Sequence, residues 1–180
     1  LQHPYSLSAA PTNKLLRITV KDLGDHSRDL INLSPGTRVF IEGPYGAFTK
    51  NRATKKHVVL IGGGVGITPI RAIAEEFGDT VNIDLIYRVS NESELVLKEE
   101  LDYLSSKYGD SFNVHYLVGS RNQHPMNAKN ILKLAPFFAD SDVYVCGPEG
   151  LVSAVSQAAA EVGIPKNRVH HEEFEFHSKA

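Results

Sequence analysis

Apolar and polar positions along the chain fall into two unlike patterns, and the change comes shortly after residue 50. Residues 15–20 (LLRITV) and 38–42 (RVFIE) are short, rich in β-branched side chains and bounded by proline and glycine, as at Pro35-Gly36 and Gly43-Pro44. Such runs predict strands of an antiparallel sheet or barrel, with one helical turn in the polar stretch between them. From Thr54 the pattern becomes strand then helix, repeated. Residues 58–61 are a short apolar run ending in glycines, followed by Thr68 as the predicted N-cap, Pro69 at the first helical position and a helix closed at Gly78. Residues 83–87 predict a second buried strand. Leu97, Leu101, Leu104 and Tyr108 recur at spacings of four, three and four, the apolar stripe of an amphipathic helix. A third strand follows at 114–118, a short helix at 128–134 and a fourth strand at 143–146. Leu151, Val152, Val155, Ala159 and Val162 mark a helix ending at Gly163, and 169–174 is the last strand. Strands that alternate with helices imply a parallel sheet covered on both faces. The predicted fold class is α/β: a five-stranded parallel domain over residues 55–180, preceded over residues 1–50 by a partial antiparallel β-barrel.

Composition narrows the class. The chain has 180 residues, 42% hydrophobic and 22% charged, enough to bury a core, which excludes disordered, collagenous and solenoid classes. Nineteen Lys+Arg against 21 Asp+Glu leave a formal charge of -2 with no basic block, so nucleic acid is not an expected partner. The single cysteine, Cys146, supplies neither an internal disulfide nor the thiolates of an iron–sulfur cluster or Cys-rich zinc site, and fits a reducing, cytoplasmic setting. The most apolar stretch, residues 58–70, is 13 residues long with four glycines, so no membrane-spanning segment is expected. The chain starts at Leu1 without a methionine or signal-peptide pattern, which is the expectation for an excised piece of a longer protein.

Gly62-Gly63-Gly64-Val65-Gly66-Ile67-Thr68-Pro69 lies between the first strand and its helix, where backbone N–H groups and the helix dipole make an anion site. Two readings stand at this point: a pyrophosphate cradle, or a tight turn with no ligand. No lysine closes the loop, so a Walker-type triphosphate site is excluded. Gly64 and Gly66 match the first two glycines of G-x-G-x-x-G, but Pro69 stands at the third. The acidic residue that usually holds the ribose 2′-hydroxyl at the tip of the second strand is replaced by Tyr87-Arg88. Arg88, together with Ser120-Arg121 after the third strand, offers guanidinium forks and a hydroxyl to a 2′-phosphate. Singly each also reads as solvated surface; jointly they favour NADP(H), with NAD(H) the alternative. Adjacent His170 and His171 point to opposite faces of a strand, and no metal site is expected.

With these residues in view the chain resembles the ferredoxin-NADP reductase superfamily, and within it most the reductase domains of ferric reductases and NADPH oxidases. His3-Pro4-Tyr5-Ser6 resembles the HPF[ST] flavin motif, Gly43-Pro44-Tyr45-Gly46 the turn that ends the barrel, and Gly63 to Pro69 the GGxGxTP loop. Val145-Cys146-Gly147-Pro148 resembles the CGP motif beside the nicotinamide, and His170 to Phe174 the closing H-x-E-x-F. The resemblance implies a Rossmann-like NAD(P)-binding domain behind a truncated FAD-binding barrel, since the motif at His3 to Ser6 lies mid-barrel in that superfamily. His3, where soluble members carry arginine, implies a parent with a membrane haem domain and a place at the inner face of a membrane.

The same resemblance assigns roles. Tyr5 would stack on the isoalloxazine, with Ser6 donating near flavin N5 and Ser8 and Pro11 following in an S-x-x-P arrangement. Cys146 would lie against nicotinamide C4, as a small wall and not a nucleophile. Glu172 would orient the nicotinamide or pass a proton, its alternative being a solvated carboxylate. Phe174 would cover the flavin face, with Phe176 as packing. The implied function is a reductase module passing hydride from NADPH to FAD and then single electrons to haem, ferric iron or oxygen in a membrane flavocytochrome. The alternatives are a soluble reductase serving a ferredoxin or oxygenase, and a nucleotide-binding module without turnover. With the barrel incomplete, the 180-residue chain is expected to hold little FAD and to show negligible reductase activity.

Overall fold

The apolar run that begins at Val58 is buried along its whole length because it becomes the middle strand of a sheet. A computed structural model describes residues 4–12, 14–22, 24–43, 45, 46 and 48–173. Strand β1 (His57–Gly63) is flanked on one side by β2 (Asn82–Val89) and then β3 (Phe112–Val118), and on the other by β4 (Ser141–Gly147) and then β5 (Val169–Glu173). All four pairings are parallel. A strand buried on both faces cannot alternate apolar and polar residues, which is why β1 and β4 read as continuous apolar runs.

The crossovers supply the covering layers. Helices α2 (Ile67–Phe77) and α3 (Lys98–Tyr108) bring Ile70, Ile73, Phe77, Leu101 and Leu104 onto the face carrying Val58, Leu60, Tyr144 and Cys146. Helices α4 (Ala128–Leu134) and α5 (Glu149–Glu161) bring Ile131, Val152, Val155 and Ala159 onto the face carrying Val59, Ile61, Val143 and Val145. The chain leaves β1 toward β2 but returns on the other side as β4, so a crevice opens at the C-terminal ends of these two strands.

Two local expectations change. Thr68 is not the N-cap of α2: Gly66 is, because residues Gly64–Gly66 form a 3₁₀ turn that starts the helix earlier. The Thr68 hydroxyl instead donates to the Val65 carbonyl at 3.0 Å, and Pro69 is the third helical residue. Among the described residues the N-terminal part carries one antiparallel bridge, Leu7 to Ile18, where a ladder was expected. Residues 38–42 form no strand, and Phe40 is 96% exposed. β-propensity is realised only against a partner that takes the ladder hydrogen bonds, and no described strand lies beside this segment. The helical turn expected between these segments is α1 (Asp25–Asp29). No helix among the described residues is long and apolar enough to cross a membrane.

The junction is docked on β4. Asp142, fully buried, accepts from the Thr54 N–H at 2.6 Å and the Lys55 N–H at 2.7 Å. The Tyr144 hydroxyl donates to the Thr49 carbonyl at 2.8 Å, and Phe48 meets the Tyr144 ring edge-on. A buried donor left unpaired costs about 1–3 kcal/mol, and Thr54 is partly open to water that can replace one bond. Asp142→Ala is therefore expected to lower unfolding free energy by roughly 2 kcal/mol in urea titration at unchanged slope. A loss below about 0.5 kcal/mol would show that the junction does not depend on this carboxylate.

Candidate functional site

The glycines of the first turn are needed because two backbones meet there. A Cβ on Gly66 would stand 2.2 Å from the Cys146 carbonyl oxygen, and one on Gly63 2.5 Å from Leu151 Cδ2. Only glycine lets the end of β1 lie against the end of β4 and the first turn of α5. Gly64 takes the left-handed conformation at φ 55° that turns the chain into α2. Gly147 approaches Gly63 from the other side, with Pro148 as the N-cap of α5. Neither α2 nor α5 has a side chain capping its N-terminus; the Ile67 N–H of α2 is taken up by the Gly64 and Val65 carbonyls and Pro69 has none, while Pro148 leads α5 into the crevice without a side-chain bond. Thr68 and Pro69 are buried in the first turn of α2, behind the glycine turn.

Across the sheet edge, register places Arg88 of β2 opposite Gly63, Cys146 of β4 opposite Gly62, and Glu172 of β5 opposite Cys146. The row is basic at one end and acidic at the other, over three strand spacings or roughly 14 Å. At the acidic end Cys146 is fully buried. Burial pushes its thiol far above the ordinary range, and the neighbouring Glu172 adds to the shift. A thiol shifted this way stays protonated at physiological pH and is a poor nucleophile. Burial also raises the Glu172 carboxyl, partly offset by a hydrogen bond from the Ser6 hydroxyl. Gly46 closes over this carboxylate: a Cβ there would be 3.4 Å from Glu172 Oε1. Tyr5, 40% exposed, and exposed Pro4 adjoin Ser6. Gly43 begins the turn that carries Gly46, in which the Tyr45 hydroxyl donates to Glu42 at 2.9 Å.

At the basic end, Arg121 lies over the first turn of α5, its Nη1 3.4 Å from where a Cβ on Gly150 would sit. Burial and the like charge of Arg121 both lower the Arg88 pKa, so the two guanidinium groups share one region. Among the described residues neither forms an ion pair with a carboxylate. Ser120 closes its turn, its backbone N–H donating to Gln123 Oε1 at 2.8 Å and its hydroxyl accepting from the Gln123 N–H at 3.3 Å.

Four segments thus bring Ser6, Gly46, Cys146 and Glu172 together, and two more bring Arg88 and Arg121 together. Ser8 is elsewhere: it is fully buried, and its hydroxyl accepts from Arg17 Nε at 3.1 Å and Thr19 Oγ1 at 2.9 Å. His3, Pro44 and Phe174 lie outside the described residues. Sequence reading passed over Arg17 and Arg71, although an arginine inside the apolar run LLRITV and another beside Ile70 and Ile73 are signals of buried charge pairing. Among the described residues no group of three or more His, Cys, Asp or Glu side chains is placed to hold a metal ion.

A parallel sheet with a glycine cradle at its switch point and a basic-to-acidic row across its edge defines a dinucleotide-binding domain of the oxidoreductase type. The chain belongs to the oxidoreductase NAD-binding domain family, whose model matches residues 60–157. It is 34% identical over 165 residues to NADH-cytochrome b5 reductase 1 of Scheffersomyces stipitis, covering 84% of this chain and 57% of that one. It is 32% identical to flavohemoprotein B of Dictyostelium discoideum, covering 94% of this chain and 44% of that one. The fold matches the H286K ferredoxin-NADP+ reductase of Plasmodium falciparum in complex with 2′P-AMP at TM-score 0.76 and 21% identity, over 94% of this chain and 74% of that one. The chain spans about half the length of the curated relatives it matches.

Because the folded Glu172 carboxyl titrates above its unfolded value, its ionisation opposes folding once pH exceeds the ordinary glutamate range near about 4.3. Glu172→Gln is expected to raise Tm at pH 7, with the gain vanishing as pH falls below that range. Thermal melts across pH 3.5–8 check it, and a Gln variant less stable at pH 7 would contradict the burial of this charge.

Proposed function

We propose that this chain is the nicotinamide-binding part of a flavin reductase that takes hydride from NADPH and delivers single electrons to a haem-type, ferric-iron or oxygen acceptor. The observation that carries the reading is the meeting of Ser6, Cys146 and Glu172 at the crevice bordered by two uncapped helix N-termini. The glycine turn before α2 and the N-terminus of α5 receive the pyrophosphate. Arg88 and Arg121 receive the 2′-phosphate at the basic end, so the nicotinamide is directed to the acidic end, against Cys146. The neutral thiol offers the ring a small uncharged surface, and the Glu172 carboxyl, fixed by Ser6, accepts a hydrogen bond from the carboxamide. The residues present fit one side of a flavin: Ser6 supplies a hydroxyl at the site, and Tyr5 keeps part of its ring exposed for stacking. When bound, the flavin accepts the hydride and releases electrons singly. Proximity and orientation are what the protein contributes.

The relatives named as cytochrome b5 reductase and flavohemoprotein support a haem protein as acceptor. The ferric-reductase or NADPH-oxidase parent rests on the motif resemblance alone, and with it the place at the inner face of a membrane. A second reading, NADH as donor, is favoured by the name of the yeast relative. The unpaired Arg88 and Arg121 argue against it. Hydrogen bonds to charged groups contribute about 1.5–3 kcal/mol, so Arg121→Ala should weaken NADPH binding roughly tenfold to a hundredfold. NADH affinity should stay unchanged. Calorimetric titration of both nucleotides decides it; equal affinity of the wild-type chain for the two would sink the NADPH assignment.

A further inference from the structure

The charged side chains that sequence reading passed over form a closed circuit between the N-terminal segment and the two helices on one face of the sheet. Arg17 donates from Nε to the Ser8 hydroxyl at 3.1 Å and from Nη2 to the Ser8 carbonyl at 2.6 Å. The same guanidinium forks onto Glu100 of α3, Nη1 to Oε1 at 3.0 Å and Nη2 to Oε2 at 2.9 Å. Glu100 Oε2 also lies 2.9 Å from Arg71 Nε of α2, which is buried and lacks a well-aligned hydrogen-bond partner, so that contact is Coulombic. Arg71 in turn pairs with Glu75 one helical turn on, and Glu75 Oε2 accepts from the Ala10 N–H at 2.8 Å. Two cations and two carboxylates thus close a neutral ring from Ser8 through both helices to Ala10.

Isolated exposed ion pairs contribute little, but bidentate geometry and a network are the conditions under which charge pairs hold a structure. Arg71 is only 7% exposed, and the Arg17 and Glu100 side chains are one-third exposed. Burial works against the Glu75 charge, yet the hydrogen bonds from Arg71 and Ala10 outweigh it and hold its carboxyl below the usual range. The ring also begins two residues from Ser6, and α2 starts at the glycine turn beside Cys146. One charged circuit therefore ties the segment bearing Tyr5 and Ser6 to the helix that leads from the cradle. The same stretch carries the antiparallel bridge from Leu7 to Ile18.

We propose that Glu100, with Arg17 and Arg71, is a positioning residue: it sets where Ser6 stands relative to Glu172 and Cys146, and so aligns the flavin-side segment with the nicotinamide-side edge. In meaning this rests on the reductase reading, but its test needs neither nucleotide nor flavin, so the two can fail separately.

The test is the carboxyl carbon-13 titration of Glu172 in the full 180-residue chain labelled at glutamate. The Ser6 hydroxyl lowers the Glu172 midpoint, so Ser6→Ala defines the rise that follows loss of that bond. Glu100→Gln is expected to produce a rise of the same size, and the double variant Ser6→Ala/Glu100→Gln no more than Ser6→Ala alone. Removing a negative charge would by its direct field lower the midpoint, so the expected shift has the opposite sign to the trivial effect. A merely structural loss of stability would leave the midpoint of the folded chain where it is. Glu100→Asp, which keeps the charge but shortens its reach, carries the same expectation if the Gln variant does not fold. A midpoint unmoved or lowered in the Glu100 variants, or a double variant that adds the two shifts, overturns the proposal.

Discussion

The backbone of Gly66 lies against the backbone of Cys146, and the rest of the site follows from that contact. Side chains normally keep a helix start and a neighbouring strand end apart. With a hydrogen atom in place of Cβ, the first turn of α2 sinks onto the end of β4, and Gly63 and Gly147 admit the first turn of α5 in the same way. The two helices then open toward one crevice instead of covering it. A methyl group on any of these glycines would push the layers apart at the point where a ligand's phosphates are to be received.

Periodicity made most of the α/β part legible. The helix at Ala128–Leu134 and the stop of α2 at Gly78 stand where the sequence puts them, because apolar spacing and a glycine in the left-handed region are local signals. The start of α2 was misplaced for an equally local reason: threonine before proline is a good cap pattern, but consecutive glycines form a turn whose hydrogen bonds begin the helix earlier. Residues 38–42 show the opposite limit. Their β-branched composition says how they would pair, and nothing in it says whether a partner strand is at hand.

At the site, residue types announced themselves and their grouping did not. Cys146 and Glu172 are 26 positions apart, and it is strand register that makes them neighbours. Arg88 and Arg121 come together through the ends of β2 and β3, which the strand assignments did imply. Ser8, which the S-x-x-P arrangement sets beside the flavin motif, is buried and bonded to Arg17 and Thr19 in the joint between segment and helices. A hydroxyl looks the same in sequence whether it faces a ligand or a guanidinium.

The buried, protonated state of Cys146 bears on durability as well as geometry. The thiolate attacks peroxides and disulfides, and the rate of its oxidation rises with the fraction ionised. A thiol of ordinary or lowered pKa is open to oxidation to sulfenic and higher acids. Held protonated by burial and a neighbouring carboxylate, Cys146 keeps a soft, polarizable sulfur at the crevice while presenting little thiolate to an oxidant.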